Sequence, residues 1–291
     1  MKKTFLATSL LFMASIWIGW NWKMTRIPVM SKDGMIECLK METLDAYKAE
    51  ASQQPFARMH PSPKKTNYDK LMGKMIQFKV ADGKDANGYF IPSKKKSKRW
   101  LIVIQEWWGL NDNIKEEADK YFKDLGDVNV IAVDMYDGKV ASTPDSAMKI
   151  MRSADMARMT AIIKGVISHA GTDASIYSVG WCFGGMWSLQ AGILAGSQAK
   201  GSVMFYGRPE NDINKLKSIQ CDVIGFFGNL DRSPSPELVN EFEKNMQIAG
   251  KKLTTHKYAA GHGFANPSNP AFSAEATADS YAKAINFLKT H

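Results

Sequence analysis

The chain has 291 residues, 38 Lys+Arg against 29 Asp+Glu, a formal net charge of +9 and 45% hydrophobic residues. This excludes a wholly disordered chain, and 22 glycines and 11 prolines without a period exclude collagen-like and low-complexity classes. Three cysteines exclude a disulfide-dense scaffold and a Cys-only zinc site, and five histidines leave little room for a His-rich metal cluster.

Lys2 and Lys3 precede an uncharged, largely apolar stretch from Thr4 to Trp20. A charged start followed by an apolar run is the pattern of an export signal, and the run is at the lower edge of what spans a bilayer. Trp17 and Trp20 crowd the positions where a cleavage site wants small residues. An uncleaved anchor and an atypical signal peptide both fit residues 1–22. The expected location is the periplasmic or extracellular face, with membrane association through the N-terminus. Residues 23–73 read as an irregular lead-in, with some helical pattern over Met41–Ala51. Gln53–Tyr68 carries Pro55, Pro61 and Pro63 and reads as an extended loop that includes His60.

From 74 to 291 the pattern is that of one domain. Met75–Val80 and Tyr89–Ile91 flank Asp82-Gly83 and Asn87-Gly88 and predict an antiparallel pair at a sheet edge. Lys94, Lys95, Lys96, Lys98 and Arg99 form a basic run read as a solvated turn; without aromatic interleaving it predicts no nucleic-acid partner. Strands are predicted over Trp100–Gln105, Val128–Val133, Ile176–Gly180, Gly201–Tyr206, Asp222–Phe227 and Lys252–Tyr258. Helices are predicted from Asp112 as cap to about Leu125, from Thr143 as cap to about Ala170, and over Met186–Ala195, Pro236–Ala249 and Ala274–Lys289. The alternation predicts an α/β fold: a mostly parallel sheet covered on both faces, with its active site at the carboxyl ends of the strands.

The chemistry concentrates at those ends. Gly180-Trp181-Cys182-Phe183-Gly184-Gly185 lies between a strand and a helix, which is a nucleophile elbow with cysteine in place of serine. Glycines relieve crowding where the backbone doubles back, and the helix N-terminus favours a thiolate and an oxyanion. Behind it, in the chain order nucleophile, acid, histidine, come Asp231 after one strand and His262 after the next. The other histidines are worse placed: His169 ends a helix, His256 lies inside a strand, His291 is terminal and His60 is in the lead-in. Glu106, Trp107 and Trp108 follow the strand 100–105. The backbone N–H groups of Trp107 and Phe183 are assigned to an oxyanion hole. Trp107, Trp108, Tyr136, Trp181 and Phe264 are candidates to line an apolar pocket, with Trp181 assigned to the core.

Five motifs in order carry a family resemblance: Q-E-W-W-G-L, D-M-Y-D-G-K, G-W-C-F-G-G, G-N-L-D and G-H-G-F-A-N-P. From about Gly73 to Leu288 the chain resembles the dienelactone hydrolases, or carboxymethylenebutenolidases. The resemblance implies an α/β-hydrolase fold and a Cys182–His262–Asp231 triad, with Glu106 contacting Cys182 at rest and gating thiolate formation. Members that cleave dienelactone carry two arginines for the substrate carboxylate; Gly138 and Asn266 stand at those positions here. Lys139 is adjacent to Gly138 but is no bidentate fork. The expected activity is hydrolysis of small esters or lactones through an acyl-thioester, without metal or cofactor, by a monomer. Thioester or peptide hydrolysis on the same triad, and a non-catalytic envelope binding protein, are the competing expectations. Cys38 and Cys221 have no catalytic context, and a disulfide between them stays open.

Overall fold

The computed structural model describes residues 42–64 and 70–291. Residues 1–22, read as an export signal or anchor, and Cys38 lie outside the described residues. Among the described residues no helix is long and apolar enough to cross a membrane.

Eight strands form one sheet: β1 Lys74–Phe78, β2 Ala86–Ile91, β3 Arg99–Ile104, β4 Asn129–Val133, β5 Ser175–Trp181, β6 Ala199–Phe205, β7 Asp222–Gly228 and β8 Leu253–Tyr258. Their order is β1-β2-β4-β3-β5-β6-β7-β8. The β1–β2 and β2–β4 pairs are antiparallel, while every pair from β4 through β8 is parallel. The expected edge hairpin and parallel centre are thus both present. Composition explains which strand goes where. The apolar runs LIVI of β3 and VIAV of β4 are buried throughout, whereas β1 is mostly exposed and β8 mostly half-buried at the sheet's edges.

The helices are α1 Glu42–Ala51, α2 Gln54–Arg58, α3 Asp112–Leu125, α4 Pro144–Arg152, α5 Met156–Ala170, α6 Phe183–Ala195, α7 Ile213–Lys217, α8 Pro236–Ile248 and α9 Ala274–Thr290. Thr143 caps α4 with a reciprocal Ser146 contact and Pro144 in the first turn, as its sequence implies. Three details depart from the sequence reading. Asn111, not Asp112, caps α3, its Oδ1 accepting from the Ile114 N–H at 3.2 Å. The single helix expected after Thr143 is two, because the Asp155 carboxylate accepts from the N–H groups of Ala157 and Arg158 and starts a new helix. Residues 54–58 are helical where an extended loop is expected: Pro55 sits in the first turn, where its missing N–H costs nothing.

Parallel pairing sends the segments after β3, β5, β6, β7 and β8 out at one edge of the sheet. Helix α6 packs against β5, β6 and β3, and nearly every residue of it is buried. Its N-terminus therefore comes up through the middle of that edge. The basic run 94–98 forms an exposed loop before β3, as expected of a solvated turn.

Candidate active site

Cys182 joins β5 to α6 at φ 55°, in the left-handed region that a non-glycine residue seldom occupies. Such strain persists only where the surroundings enforce it, and here they do. The Cys182 N–H donates to the Phe205 carbonyl at 2.9 Å. A Cβ on Gly180 would lie 2.2 Å from the Gly184 carbonyl oxygen, and one on Gly184 would lie 2.2 Å from that of Ile104. The spacing G-x-C-x-G is thus the one that lets strand, turn and helix touch. Phe183 begins α6, so its N–H is among the first-turn donors without an intrahelical acceptor.

Asp231 follows β7 and His262 follows β8. The His262 Nδ1 is 2.8 Å from Asp231 Oδ2; a carboxylate accepts, so Nδ1 carries the proton and Nε2 is left free. The Asp231 Oδ1 accepts from the Ser233 N–H at 2.8 Å, which fixes the carboxylate. The His262 Nε2 is buried and makes no hydrogen bond among the described residues. Burial opposes charge on His262, but Asp231 and, once ionised, Cys182 outweigh it and hold the imidazole well above its ordinary range.

A third group joins them. The His60 Nε2 lies 3.6 Å from Cys182 Sγ, and the Tyr47 hydroxyl lies 3.4 Å from the same sulfur. The ligand-type atoms of His60, Cys182 and His262 all lie within 4.8 Å of one another. Nitrogen and sulfur donors so placed suit a borderline-soft cation as well as proton transfer. Neither His60 nor Tyr47 carries a sequence signal that marks it as part of the site. His60 sits in His-Pro-Ser-Pro, which carries only a loop signal, and it reaches the thiol because α1 and α2 lie across the strand ends. Phe56 stacks on His60 at 4.2 Å and meets Trp107 edge-on at 5.1 Å, and Tyr47 packs on Phe183. Cys182 is 1% exposed beneath them.

The remaining predicted residues divide. Glu106 does not bond the thiol. Its Oε1 accepts from the Tyr206 hydroxyl at 3.3 Å and its Oε2 from the Asn266 amide at 2.8 Å. Two donors from neighbouring loops hold it aside, and burial raises its carboxyl above the ordinary range despite His262, Asn266 and Tyr206. Trp108, Trp181, Tyr206 and Asn266 line a cavity of about 100 Å³ beside Glu106. Trp107 is buried against Phe56, His60 and Trp108, and Phe264 against Tyr206 and Tyr258. Tyr136 packs on Phe183, 5.3 Å between ring centres. Lys139 is exposed and lines a separate outer cavity of about 440 Å³ with Asp82, Asp137 and Arg158. Arg158 is committed there, bonded to Asp137 and Asp82.

A parallel sheet with a cysteine elbow over the N-terminus of a central helix, and an Asp–His pair on the next loops, defines the α/β-hydrolase class. The model of the dienelactone hydrolase family matches residues 86–291. The chain belongs to that family, whose members hydrolyse ester and lactone bonds. Among curated relatives it is 28% identical over 207 residues to protein usf of Aquifex pyrophilus, covering 67% of this chain and 88% of that one. It is 26% identical over 235 residues to a putative carboxymethylenebutenolidase of Aquifex aeolicus, covering 76% and 99%. Among solved structures, a putative dienelactone hydrolase from Klebsiella pneumoniae superposes with a TM-score of 0.65 at 18% identity, over 75% of this chain and 99% of that one. The dienelactone hydrolase-like promiscuous phosphotriesterase P91, from metagenomic libraries, gives 0.64 at 22% identity, over 75% and 98%.

Proposed function

We propose that the chain is a cysteine hydrolase of small, uncharged esters or lactones, with Cys182 as nucleophile, His262 as acid–base and Asp231 as its orienting carboxylate. The observation that carries the reading is the His262–Asp231 pair at 2.8 Å, whose free imidazole nitrogen faces the strained Cys182 elbow. The thiol proton passes to His262, and the thiolate attacks the acyl carbon as the carbonyl electrons move onto oxygen. The N–H groups of Trp107 and Phe183 receive that oxyanion. Collapse expels the alkoxide, which takes the proton from His262 and leaves an acyl-thioester on Cys182. Water, deprotonated by His262, attacks the thioester, and the acid leaves as the thiolate is restored.

The preference for uncharged substrates rests on what surrounds the thiol. Gly138 offers no side chain, Asn266 is occupied with Glu106, and Lys139 lies in the outer cavity. None of these three positions supplies the bidentate cation that desolvation of an anionic substrate requires. Export to the outer face of the membrane, motivated by Lys2-Lys3 and Thr4–Trp20, belongs to the same proposal and is tested by fractionation of the full-length chain with protease added to opened cells. The hydrolase reading is tested by turnover of short-chain nitrophenyl esters. Activity should vanish on thiol alkylation and in Cys182→Ala, while Cys221→Ala retains it.

A further inference from the structure

Residues 42–60 precede the part of the chain that the family model matches, yet they bring a second imidazole to the nucleophile. They are anchored at several points. The Thr43 hydroxyl donates to Glu210, Lys48 to the Ala154 carbonyl, Arg152 to the Ser52 carbonyl and Arg208 to Glu50, and the Asn269 amide donates to the Met59 carbonyl. The segment is therefore a fixed strap across the strand ends, and His60 is held where it is.

We propose that His60 accepts a hydrogen bond from the Cys182 thiol in the closed enzyme, so that the strap holds the nucleophile as a thiol until an entering substrate comes between the two side chains. The inference rests on Cys182 being the nucleophile. Its first support is the His60 tautomer. The Nδ1 is 2.8 Å from the Phe56 carbonyl oxygen, which only accepts, so Nδ1 carries the proton and Nε2 presents a bare lone pair to sulfur. At 3.6 Å, with sulfur's larger radius, that is an S–H···N contact. The second support is that His60 stays neutral. It is 5% exposed, and the His262 ring centre is 4.8 Å away, so burial and then the neighbouring imidazole disfavour a charge on it. The third is that the nearby Glu106 carboxylate is held by Tyr206 and Asn266 and makes no bond to the sulfur, which leaves His60 as its acceptor.

A lone pair on His60 stabilises S–H and repels S⁻. The thiolate needs the His262 imidazolium, and it gains by losing His60. The other titratable groups packed around the thiol are Tyr47 on α1, Glu106 after β3, Tyr136 after β4 and Tyr206 after β6, with Asp231 behind His262 and Glu117 of α3 near Glu106. Of these, only the Tyr47 hydroxyl is within hydrogen-bond reach of sulfur, and as a donor it favours the thiolate.

The test is the pH dependence of iodoacetamide alkylation, read by mass spectrometry on the peptide carrying Cys182. In His60→Leu the half-maximal rate should move to lower pH by roughly half a unit to one unit, the effect of losing one hydrogen bond to the neutral form. In His60→Gln, whose amide oxygen replaces Nε2 as acceptor, the curve should return toward wild type. An unchanged or higher midpoint in His60→Leu overturns the proposal. So does a raised plateau at an unmoved midpoint, which marks the strap as a shield alone. Should His60→Leu fail to fold, the histidine ¹⁵N shifts of the wild-type chain decide: His60 protonated on Nδ1 with Nε2 bare supports the proposal, and protonation at Nε2 refutes it. Failure of the hydrolase reading would appear separately, as ester turnover untouched by Cys182→Ala.

Discussion

The Sγ of Cys182 and the Nε2 of His60 lie 3.6 Å apart although 122 positions separate them in the chain. A segment outside the matched hydrolase region thus closes over the thiol and contacts it directly. The hydrolase architecture and the strap are distinct contributions to one site, and they fail in different ways when altered.

Phe56 is the strap's apolar anchor, packed on Tyr47, His60 and Trp107. Phe56→Ala should cost about 3–5 kcal/mol, the usual range for a buried phenylalanine, if the strap unfolds with the rest of the protein. Denaturant unfolding of wild type and variant measures it. A second, earlier transition with an unchanged main midpoint would mean that the strap opens independently.

The two imidazoles at the thiol should have opposite effects on stability against pH. His262 is held above its ordinary value, so its contribution is complete below the unfolded value of about 6.5 and is lost as pH rises through the higher folded value. His60 is held below it, so its contribution is complete above about 6.5 and is lost as pH falls toward the lower folded value. His60→Leu should therefore lose less stability than wild type on acidification, and Asp231→Asn should differ from wild type most on the acid side and least at high pH. Denaturant midpoints across pH check both slopes.

Gly184→Ala should abolish the elbow. Its new Cβ would stand 2.2 Å from the Ile104 carbonyl oxygen and 2.5 Å from that of Gln105, both backbone atoms of a buried strand end. Neither can yield cheaply, so the variant should fold poorly or lose turnover. Ala at Gly250, where no atom lies within 4 Å of the added Cβ, is the comparison, with only its backbone conformation to strain. Expression, melting temperature and ester turnover of the two variants separate the effects.

Charged substrates should fare badly. Two bidentate arginine–carboxylate contacts are missing, each on the order of 1.5–3 kcal/mol as a charge-assisted hydrogen bond. An anionic dienelactone should have a kcat/KM lower than a neutral lactone of similar size by about a hundredfold or more. Equal values would mean that another cation serves the carboxylate.

Much of this site can be read from the chain because its parts are local. The elbow is six consecutive residues, and Asp231 and His262 each follow an apolar strand, so order and spacing place them at one sheet edge. The sheet follows from the runs at 101–104 and 130–133, which admit no solvent face. The strap could not be read in the same way. Three prolines between 53 and 68 give a loop signal, and nothing near His60 in sequence marks the thiol it touches. Its position depends on tertiary contacts such as Thr43 to Glu210 and Asn269 to Met59. The partners of Glu106 could not be read for a related reason: the donors that hold it, Tyr206 and Asn266, come from two other loops.

Whether Cys182 forms the covalent intermediate is decided by rapid-quench mass spectrometry of the enzyme mixed with a neutral nitrophenyl ester. An acyl adduct should appear on the peptide containing Cys182 as nitrophenol is released and be absent in Cys182→Ala, which should also lose turnover. An adduct on another residue, or turnover in Cys182→Ala within twofold of wild type, would contradict this role of Cys182.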